Sequence, residues 1–332
     1  LVTYKYSKGT LGMHNNLSKR GWWEISHAIH YYGAKVVVQL GLGHGAETST
    51  SRRPDIVLVA PSDIPVRIKK ENAPVGMKNL EDSIWETPRP LTVPEIVELE
   101  DDFVAAAQRA QQTGFDGVEI HGAHGYLVSS FLSPYSNKRN DEYGGSFEKR
   151  LTLARNIIRK TRAAFGKDFI LGMRFSAQEH IDDGYDLAEG CRIVAALEKE
   201  GLDYIHASSG RFESMKYIFP KEEGTIIPEA AAIKKAVNIP VICPNIHTPE
   251  TGEQALKEGL VDAISLSRGL IADPEWPNKV LSGREDEIIS CLRCNSCFRT
   301  GVSGFAARCA VNADVGRERF LPQYAPPPLG TK

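Results

Sequence analysis

The chain has 332 residues, of which 42% are hydrophobic and 25% are charged, a composition typical of a soluble globular enzyme with a large core. Its formal net charge of −2 argues against binding to a nucleic-acid backbone, which requires concentrated positive charge. No apolar run approaches the roughly 20 residues that cross a bilayer, so neither nucleic acid nor membrane is an expected partner.

Short β-rich runs alternate with helical segments along the chain. The predicted strands are residues 35–40, 117–121, 169–175, 204–208, 240–243 and 263–267. The predicted helices are residues 19–32, 94–113, 147–164, 187–200, 228–237, 250–258 and 274–281. Because near-continuous apolar strands alternate with helices, the sequence predicts a parallel sheet covered by helices.

The spacing of these elements favours a (β/α)8 TIM barrel over a doubly wound sheet. Glycine recurs just before strands in GFDGVEI, GLDYIHA and GLVDAISL, and no glycine-rich dinucleotide loop follows any strand. A closed barrel has eight strands and only six are found, so we expect the sequence to start just before the third strand and to lack the first two. Residues 57–60 are the alternative strand, but we assign them to a long excursion over residues 41–92 that forms a lid or pocket wall.

Polar side chains stand at or just beyond the ends of the predicted strands. They are Gln39, His121, Arg174, Ser208 with Ser209, Asn245 and Arg268. In a (β/α) barrel these strand ends converge on one mouth, where active sites are built. Each residue alone has a structural alternative, since a Gln or Asn can cap a loop and Arg174 can pair with Glu119 on a neighbouring strand. The set as a whole predicts an enzyme.

Two motifs after the last two predicted strands indicate an anion site. PNIHTPE places Thr248 at a helix N-cap with Pro249 as the first helical residue, and SRGLIADPE places Asp273 and Pro274 at another helix start. Free backbone N–H groups at these starts, together with Arg268, would bind a phosphate, as barrels commonly do after their seventh and eighth strands. Ordinary helix capping is the alternative.

Four of the six cysteines lie close together near the end of the chain. Cys291, Cys294 and Cys297 form Cys-x2-Cys-x2-Cys, and Cys309 follows after eleven further residues. Such a loop can present three thiolates to three corners of a [4Fe-4S] cubane while a later residue closes the fourth. Zinc is the rival, although structural zinc more often uses two paired knuckles, and unligated thiols are the third alternative. Clustered cysteines favour a reducing compartment over disulfides, so a cytoplasmic location is expected.

One segment concentrates groups that can donate or relay protons. The strand GVEI passes at its end into His121, His124 and Tyr126, within VEIHGAHGYLVSSFLSPYSNKRNDEYGGSFEKR. Together with VQLGLGHG, MRFS, PNIHTPE, SRGLIADPEW and the cysteine array, this run resembles the old yellow enzyme family of FMN oxidoreductases. The resemblance is to the iron-sulfur multidomain branch, which includes 2,4-dienoyl-CoA reductase, trimethylamine dehydrogenase and the bile-acid-inducible flavin reductases.

The resemblance implies that particular residues contact FMN. Gln39 would hydrogen-bond the pyrimidine edge of the flavin, and Arg174 would stabilise negative charge beside N1 and O2 of the reduced ring. The residues expected around the phosphate are Asn245, Ser267, Arg268 and Gly269. Ser267 occupies a position that is often Gly in the family, so its backbone contact to phosphate departs from the family pattern.

The resemblance also implies the reduction of an activated C=C bond. His121 and His124 would bind the carbonyl oxygen of the substrate, and Tyr126 would donate a proton to its α-carbon. These residue types suit that chemistry, because hydride arriving at the β-carbon from flavin N5 leaves enolate charge that preorganised donors stabilise. In the trimethylamine dehydrogenase branch the His121 position is Tyr, so His121 favours a carbonyl substrate over an amine.

A longer protein is implied as well. Residues 1–285 are assigned to an N-terminally incomplete FMN-binding barrel, 286–320 to the [4Fe-4S] segment, and 321–332 to a linker toward an FAD and NAD(P)-binding domain. Electrons from NAD(P)H would reach FMN through FAD and the cluster. The expected substrate is a small unsaturated carbonyl compound or CoA thioester, and a homo-oligomer is left open. An amine dehydrogenase and a non-catalytic barrel with a structural cluster remain as alternatives.

Overall fold

The computed structural model describes residues 1–2, 11–47, 56–74, 82–302 and 306–321. The strands of these residues are β1 (Val37–Leu40), β2 (Val59–Ala60), β3 (Arg67–Ile68), β4 (Ser83–Ile84), β5 (Arg89–Pro90), β6 (Gly117–Gly122), β7 (Ile170–Ser176), β8 (Tyr204–Ser208), β9 (Val241–Cys243) and β10 (Ala263–Ile264). Their α-helices are α1 (Lys19–Tyr31), α2 (Val93–Gln112), α3 (Leu127–Leu132), α4 (Phe147–Arg150), α5 (Thr152–Phe165), α6 (Leu187–Glu198), α7 (Met215–Ile218), α8 (Ile227–Ala236), α9 (Pro249–Lys257), α10 (Arg268–Ala272), α11 (Trp276–Leu281) and α12 (Ser296–Val302).

Six parallel strands form the main sheet in the order β1-β6-β7-β8-β9-β10. Each strand therefore pairs with the next strand of that sheet along the chain, which is the order of a (β/α) barrel rather than of a doubly wound sheet. The α/β class, the parallel sheet and the six predicted strands are confirmed, although β10 has only two residues. The closed eight-stranded barrel and its two missing strands stay a prediction.

The register of the sheet aligns polar side chains from different strands. Gln39 is paired with Glu119, and two residues further along β6, His121 is paired with Arg174. Arg174 is in turn paired with His206. Alternate residues of a strand point to the same face, so the pairing alone brings His121, Arg174 and His206 side by side at the carboxyl end of the sheet.

The seven predicted helices are present with two differences in their bounds, whereas the short helices α3, α7, α10 and α12 were not predicted. Thr92 and Glu95 form a reciprocal capping box at the start of α2, worth about 1 kcal/mol, and α2 buries Phe103 against the core. The predicted helix 147–164 is divided at Leu151 into α4 and α5. The helix predicted from residue 274 begins at Trp276, because the Asp273 carboxylate accepts a hydrogen bond from the backbone of residue 275 and forms a turn first.

The excursion between β1 and α2 lies outside the main sheet, as predicted. Strand β2 pairs with β5, and β3 pairs with β4, in two separate two-stranded sheets. Residues 48–55 and 75–81 of this excursion lie outside the described residues, so its expected role as a lid is not tested.

In the described part of the chain, no helix combines the length and the apolar character that would allow it to span a membrane.

Candidate active site

The three predicted proton-handling side chains meet just beyond β6. His124 and Gly125 both have left-handed backbone, with φ of 68° and 87°, and this turn directs Tyr126 back toward His121. The ring centroids of Tyr126 and His121 are 4.8 Å apart, and those of His121 and His124 are 5.3 Å apart. Glycine suits position 125 because a residue with a Cβ is strained at a φ of 87°, and an added Cβ would also lie 2.3 Å from a Glu47 carboxylate oxygen.

Burial keeps all three groups uncharged at neutral pH. Burial, followed by the nearby Arg174 charge, lowers the pKa of His121 to about 3, and burial also holds the pKa of His124 well below its usual value. The pKa of the Tyr126 phenol is raised by burial and by the adjacent Glu47. His124 Nε2 lies 2.7 Å from the Ser208 hydroxyl, whereas His121 Nδ1 has no hydrogen-bond partner among the described residues.

These groups line a cavity of about 420 Å³, within the usual range of ligand pockets. The predicted site residues that line it are His121, His124, Tyr126, Arg174, Asn245, Ser267 and Arg268. Aromatic side chains of the loop after β8, Phe212 and Phe219, form part of its apolar wall. The structure therefore brings seven of the nine predicted catalytic and flavin-binding residues around one cavity.

Gln39 and Gly269 are the two predicted residues that do not line this cavity. Gln39 donates a 2.6 Å hydrogen bond to Glu119 and lines an adjacent cavity of about 780 Å³. The two cavities meet at His121 and Tyr126, which line both. Gly269 is buried in α10, and an added Cβ would meet nothing within 4 Å, so packing does not require glycine there.

Arg174 does not pair directly with Glu119, the alternative that the sequence left open. Arg174 Nη1 lies 2.9 Å from His206 Nε2, and Arg174 Nη2 lies 3.4 Å from the Ser208 hydroxyl. Glu119 instead accepts from Gln39 and lies 3.2 Å from His206 Nδ1. His206 thus stands between the two charges. The buried Arg174 Nε has no hydrogen-bond partner in the described part of the chain.

The expected phosphate pocket is only partly as predicted. Thr248 caps α9 and Pro249 is its first residue, but the backbone N–H groups of His247 and Thr248 are not free. Both donate 2.8 Å hydrogen bonds to Glu223 Oε1, because a carboxylate is stabilised at a helix N-terminus as a phosphate would be. The buried Asn245 Oδ1 and both ring nitrogens of His247 have no partner within the described residues. Asn245 Oδ1 can only accept a hydrogen bond, so an anion in this pocket would meet Arg268 and an N–H of the His247 ring instead of free backbone amides.

The four predicted ligand cysteines line a second, smaller cavity. They are Cys291, Cys294, Cys297 and Cys309. The described residues contain no group of three or more His, Cys, Asp or Glu side chains that could hold a metal ion. A single zinc ion needs all its ligands around one centre, whereas each thiolate of a cubane binds a different iron. The four cysteines share the lining of one cavity, and their role as ligands stays a prediction.

Sequence reasoning missed Ser265 and His247, which line the main cavity, and His206, which contacts the cavity residue Arg174. His206 contacts both Glu119 and Arg174, and Ser265 lies 2.9 Å from His206 Nε2. The alternation in YIHAS places His206 on the same face as Ser208, which was a usable signal. His247 offered none, because its place depends on the loop between β9 and α9.

Comparisons with known proteins identify a family and several relatives. The NADH:flavin oxidoreductase / NADH oxidase family model matches residues 5–287. The NADH oxidase of Thermoanaerobacter brockii is 40% identical over 318 residues, which are 94% of this chain and 46% of that protein. Cinnamate reductase of Clostridium sporogenes is 34% identical over 316 residues, 89% of this chain and 45% of that protein. The chain spans about half the length of these relatives.

Solved structures agree in fold. A 2-naphthoyl-CoA reductase complex superimposes with a TM-score of 0.85 at 28% identity, covering 98% of this chain and 49% of that one. Histamine dehydrogenase from Rhizobium sp. 4-9 gives a TM-score of 0.82 at 27% identity, covering 95% and 45%. By the extent of the family match, this chain belongs to the NADH:flavin oxidoreductase / NADH oxidase family.

Proposed function

We propose that the protein containing this chain is an FMN-dependent NAD(P)H oxidoreductase that reduces the activated C=C bond of an α,β-unsaturated carbonyl compound. The observation that carries the proposal is that His121, His124 and Tyr126 line the same cavity as Arg174 and Arg268. Membership of the family supports FMN as the cofactor. The similarity to cinnamate reductase and to 2-naphthoyl-CoA reductase supports an unsaturated acid or thioester as the substrate class.

The residues of the cavity fit a flavin. Arg174 would lie beside the N1 and O2 region, Gln39 would reach the pyrimidine edge from the adjacent cavity, and the phosphate would lie near Arg268. Asn245, Ser267 and Gly269 complete the proposed phosphate end. The unpartnered buried donor Arg174 Nε supports the placing of an acceptor of the flavin beside it, since buried polar groups are normally hydrogen-bonded. Bound FMN would supply hydride from N5 to the β-carbon of the substrate.

The two imidazoles are suited to binding a carbonyl oxygen. Both are neutral, so each has one N–H donor and can hold it toward the oxygen on which charge develops. If the Ser208 hydroxyl donates to His124 Nε2, the His124 proton is held on Nδ1. His121 Nδ1 lacks a competing partner among the described residues.

Tyr126 is suited to protonating the α-carbon. Its raised pKa keeps the phenol protonated at neutral pH, which a general acid requires. Phe212 packs against the ring, with centroids 5.5 Å apart, and His121 contacts it on another side. These contacts restrict the orientation of the Tyr126 ring and do not use the hydrogen-bonding capacity of its hydroxyl.

Amine oxidation is the second candidate, supported by the similarity to histamine dehydrogenase. The charge of the cavity disfavours it. None of the described residues that line the main cavity is Asp or Glu, whereas Arg174 and Arg268 both line it. A cationic amine would meet positive charge there, and an enolate would be stabilised.

Single-turnover kinetics on the full-length protein separate the two candidates. We expect the anaerobically reduced flavin to be reoxidised within seconds by a cinnamate-type acid or its thioester. We expect no reduction of the oxidised flavin by primary, secondary or tertiary amines. Rapid reduction by an amine, with no reoxidation by unsaturated carbonyl compounds, would overturn the proposal in favour of an amine dehydrogenase.

We also propose that the cysteine segment holds a [4Fe-4S] cluster that passes electrons from NAD(P)H, through FAD elsewhere in the full protein, to FMN. Cys291, Cys294, Cys297 and Cys309 are the proposed ligands, and their common cavity supports this assignment. Iron and acid-labile sulfide should be present at about four each per chain. About one zinc per chain, without iron, would contradict the cluster.

A further inference from the structure

The main cavity, proposed to hold FMN and called the flavin cavity below, shares part of its wall with the cavity lined by the four cysteines, called the cysteine cavity. Arg268, Ile271 and Cys297 line both. Phe298, next to Cys297, lines the flavin cavity and packs against Phe219, with ring centroids 4.4 Å apart. The cysteine segment is therefore part of the wall of the flavin cavity.

A hydrogen bond between a charged and a polar side chain, Arg268 and Asn295, lies at this shared wall. Arg268 Nη1 donates to Asn295 Oδ1 at 2.8 Å, and Asn295 lies between the ligand candidates Cys294 and Cys297. Asn295 is only 3% exposed, and its left-handed backbone, with φ of 57°, is held by a 2.9 Å bond from Arg299 N to its carbonyl oxygen. Arg268 is partly buried, and without this acceptor its guanidinium would have several alternative positions, so the bond to Asn295 restricts its direction.

A second contact between the two regions is weaker. Arg293 Nη1 lies 3.8 Å from Glu223 Oε2, and the Arg293 side chain is about one third exposed. Exposed pairs at this separation contribute little, whereas a partly buried charge-assisted hydrogen bond of 2.8 Å contributes more. Of the two contacts that Arg268 and Arg293 make, the Arg268–Asn295 bond is therefore the stronger.

We propose that Asn295 is a positioning residue that couples the two cofactor sites by holding Arg268 against the flavin phosphate only when the cysteine loop is ordered by its cluster. The inference rests on the proposed function, which assigns FMN to one cavity and the cluster to the other. Coupling between two binding sites is reciprocal, so FMN should also protect the cluster. The cysteine loop would then sense flavin occupancy as well as transfer electrons.

FMN affinity in the full-length protein, with the cluster intact and after iron extraction by a chelator, tests the coupling. Wild-type protein should lose affinity about tenfold on iron extraction, the loss expected for one hydrogen bond to a charged group. In the reciprocal measurement, FMN should slow iron extraction from wild-type protein. Both readouts are independent of catalysis.

Three variants locate the coupling. Asn295→Gly removes the amide but accepts the left-handed backbone, and its iron-loaded form should bind FMN as weakly as iron-free wild type. Asn295→Asp retains an acceptor for Arg268 and should retain the coupling. Asn312→Ala is the matched control, because Asn312 Nδ2 donates to the Ile271 carbonyl at 2.9 Å and so joins the same segments without contacting Arg268. It should retain the coupling too.

Two results would overturn the inference. One is a wild-type protein whose FMN affinity does not change on iron extraction. The other is an equal loss of coupling in Asn312→Ala and Asn295→Gly. That result would show that the coupling depends on packing of the whole cysteine segment against the barrel and not on Asn295 in particular. A protein that binds FMN and iron without coupling leaves the proposed function intact, whereas one that binds neither contradicts both.

Discussion

Replacing Tyr126 with Phe removes one hydroxyl and leaves the ring packing in place. The ring contacts to His121 at 4.8 Å and to Phe212 at 5.5 Å do not involve the oxygen, so the fold should be unchanged. The raised pKa means that nearly every phenol carries its proton at pH 7. The whole contribution of a general acid, about 10²- to 10⁴-fold in rate, should therefore be lost.

The loss should appear in one half-reaction. Stopped-flow absorbance should show slow reoxidation of the reduced flavin by an unsaturated carbonyl compound, with NAD(P)H reducing the flavin at the wild-type rate. Tyr143→Phe is the matched control, since this buried phenol donates to Glu100 at 3.0 Å and does not line the cavity. Normal reoxidation in Tyr126→Phe, or equal slowing of both half-reactions, would refute the proton-donor role.

Three further predictions concern the site and the stability of the fold. His121→Ala should lower turnover with an enone far more than it lowers FMN content, because the ring is proposed to bind substrate. Arg211→Met should cost about 3–5 kcal/mol in urea unfolding, since Arg211 is buried among three carboxylates, with Nε 2.6 Å from Glu213. Burial alone would raise the pKa of Asp116, but hydrogen bonds from Lys35, His30 and the Val36 backbone lower it well below its usual value. Asp116→Asn should therefore lower the free energy of unfolding, and its full effect should be present at pH 7. The difference in unfolding free energy from wild type should disappear as the pH falls below about 4 toward the lowered pKa.

Each of these has an outcome that contradicts it. Equal loss of FMN and of turnover in His121→Ala would remove that residue from the substrate site. A cost below about 1 kcal/mol for Arg211→Met would show that the cluster is not tightly paired. A constant difference between Asp116→Asn and wild type from pH 7 to pH 3 would show that the carboxylate pKa is not depressed.

Much of the fold followed from periodicity. Apolar strands separated by helices and by glycine predicted the parallel sheet, and the polar residue at each strand end predicted the site. His121 and Arg174 could be placed together because parallel strands share one carboxyl edge, and their pairing across β6 and β7 agrees. Chemistry that depends on strand ends is therefore accessible from sequence.

The loops were less accessible. Nothing local in EEGTI indicates that Glu223 bonds the amides of His247 and Thr248, which lie 24 and 25 residues away. The bond between Arg268 and Asn295 likewise joins residues 27 positions apart. Such contacts depend on how irregular segments fold over the sheet, and residue type alone does not specify them. Short helices such as α10 and α12 were missed for a related reason, since they are too short for periodicity to show.

The most direct test is a crystal structure of the full-length protein reconstituted with FMN. The account predicts that the flavin lies in this cavity, with Arg174 beside its pyrimidine edge and its phosphate near Asn245 and Arg268. Tyr126 and the two histidines should line the space beside N5 that receives the substrate. A flavin bound elsewhere, leaving this cavity to water, would contradict it.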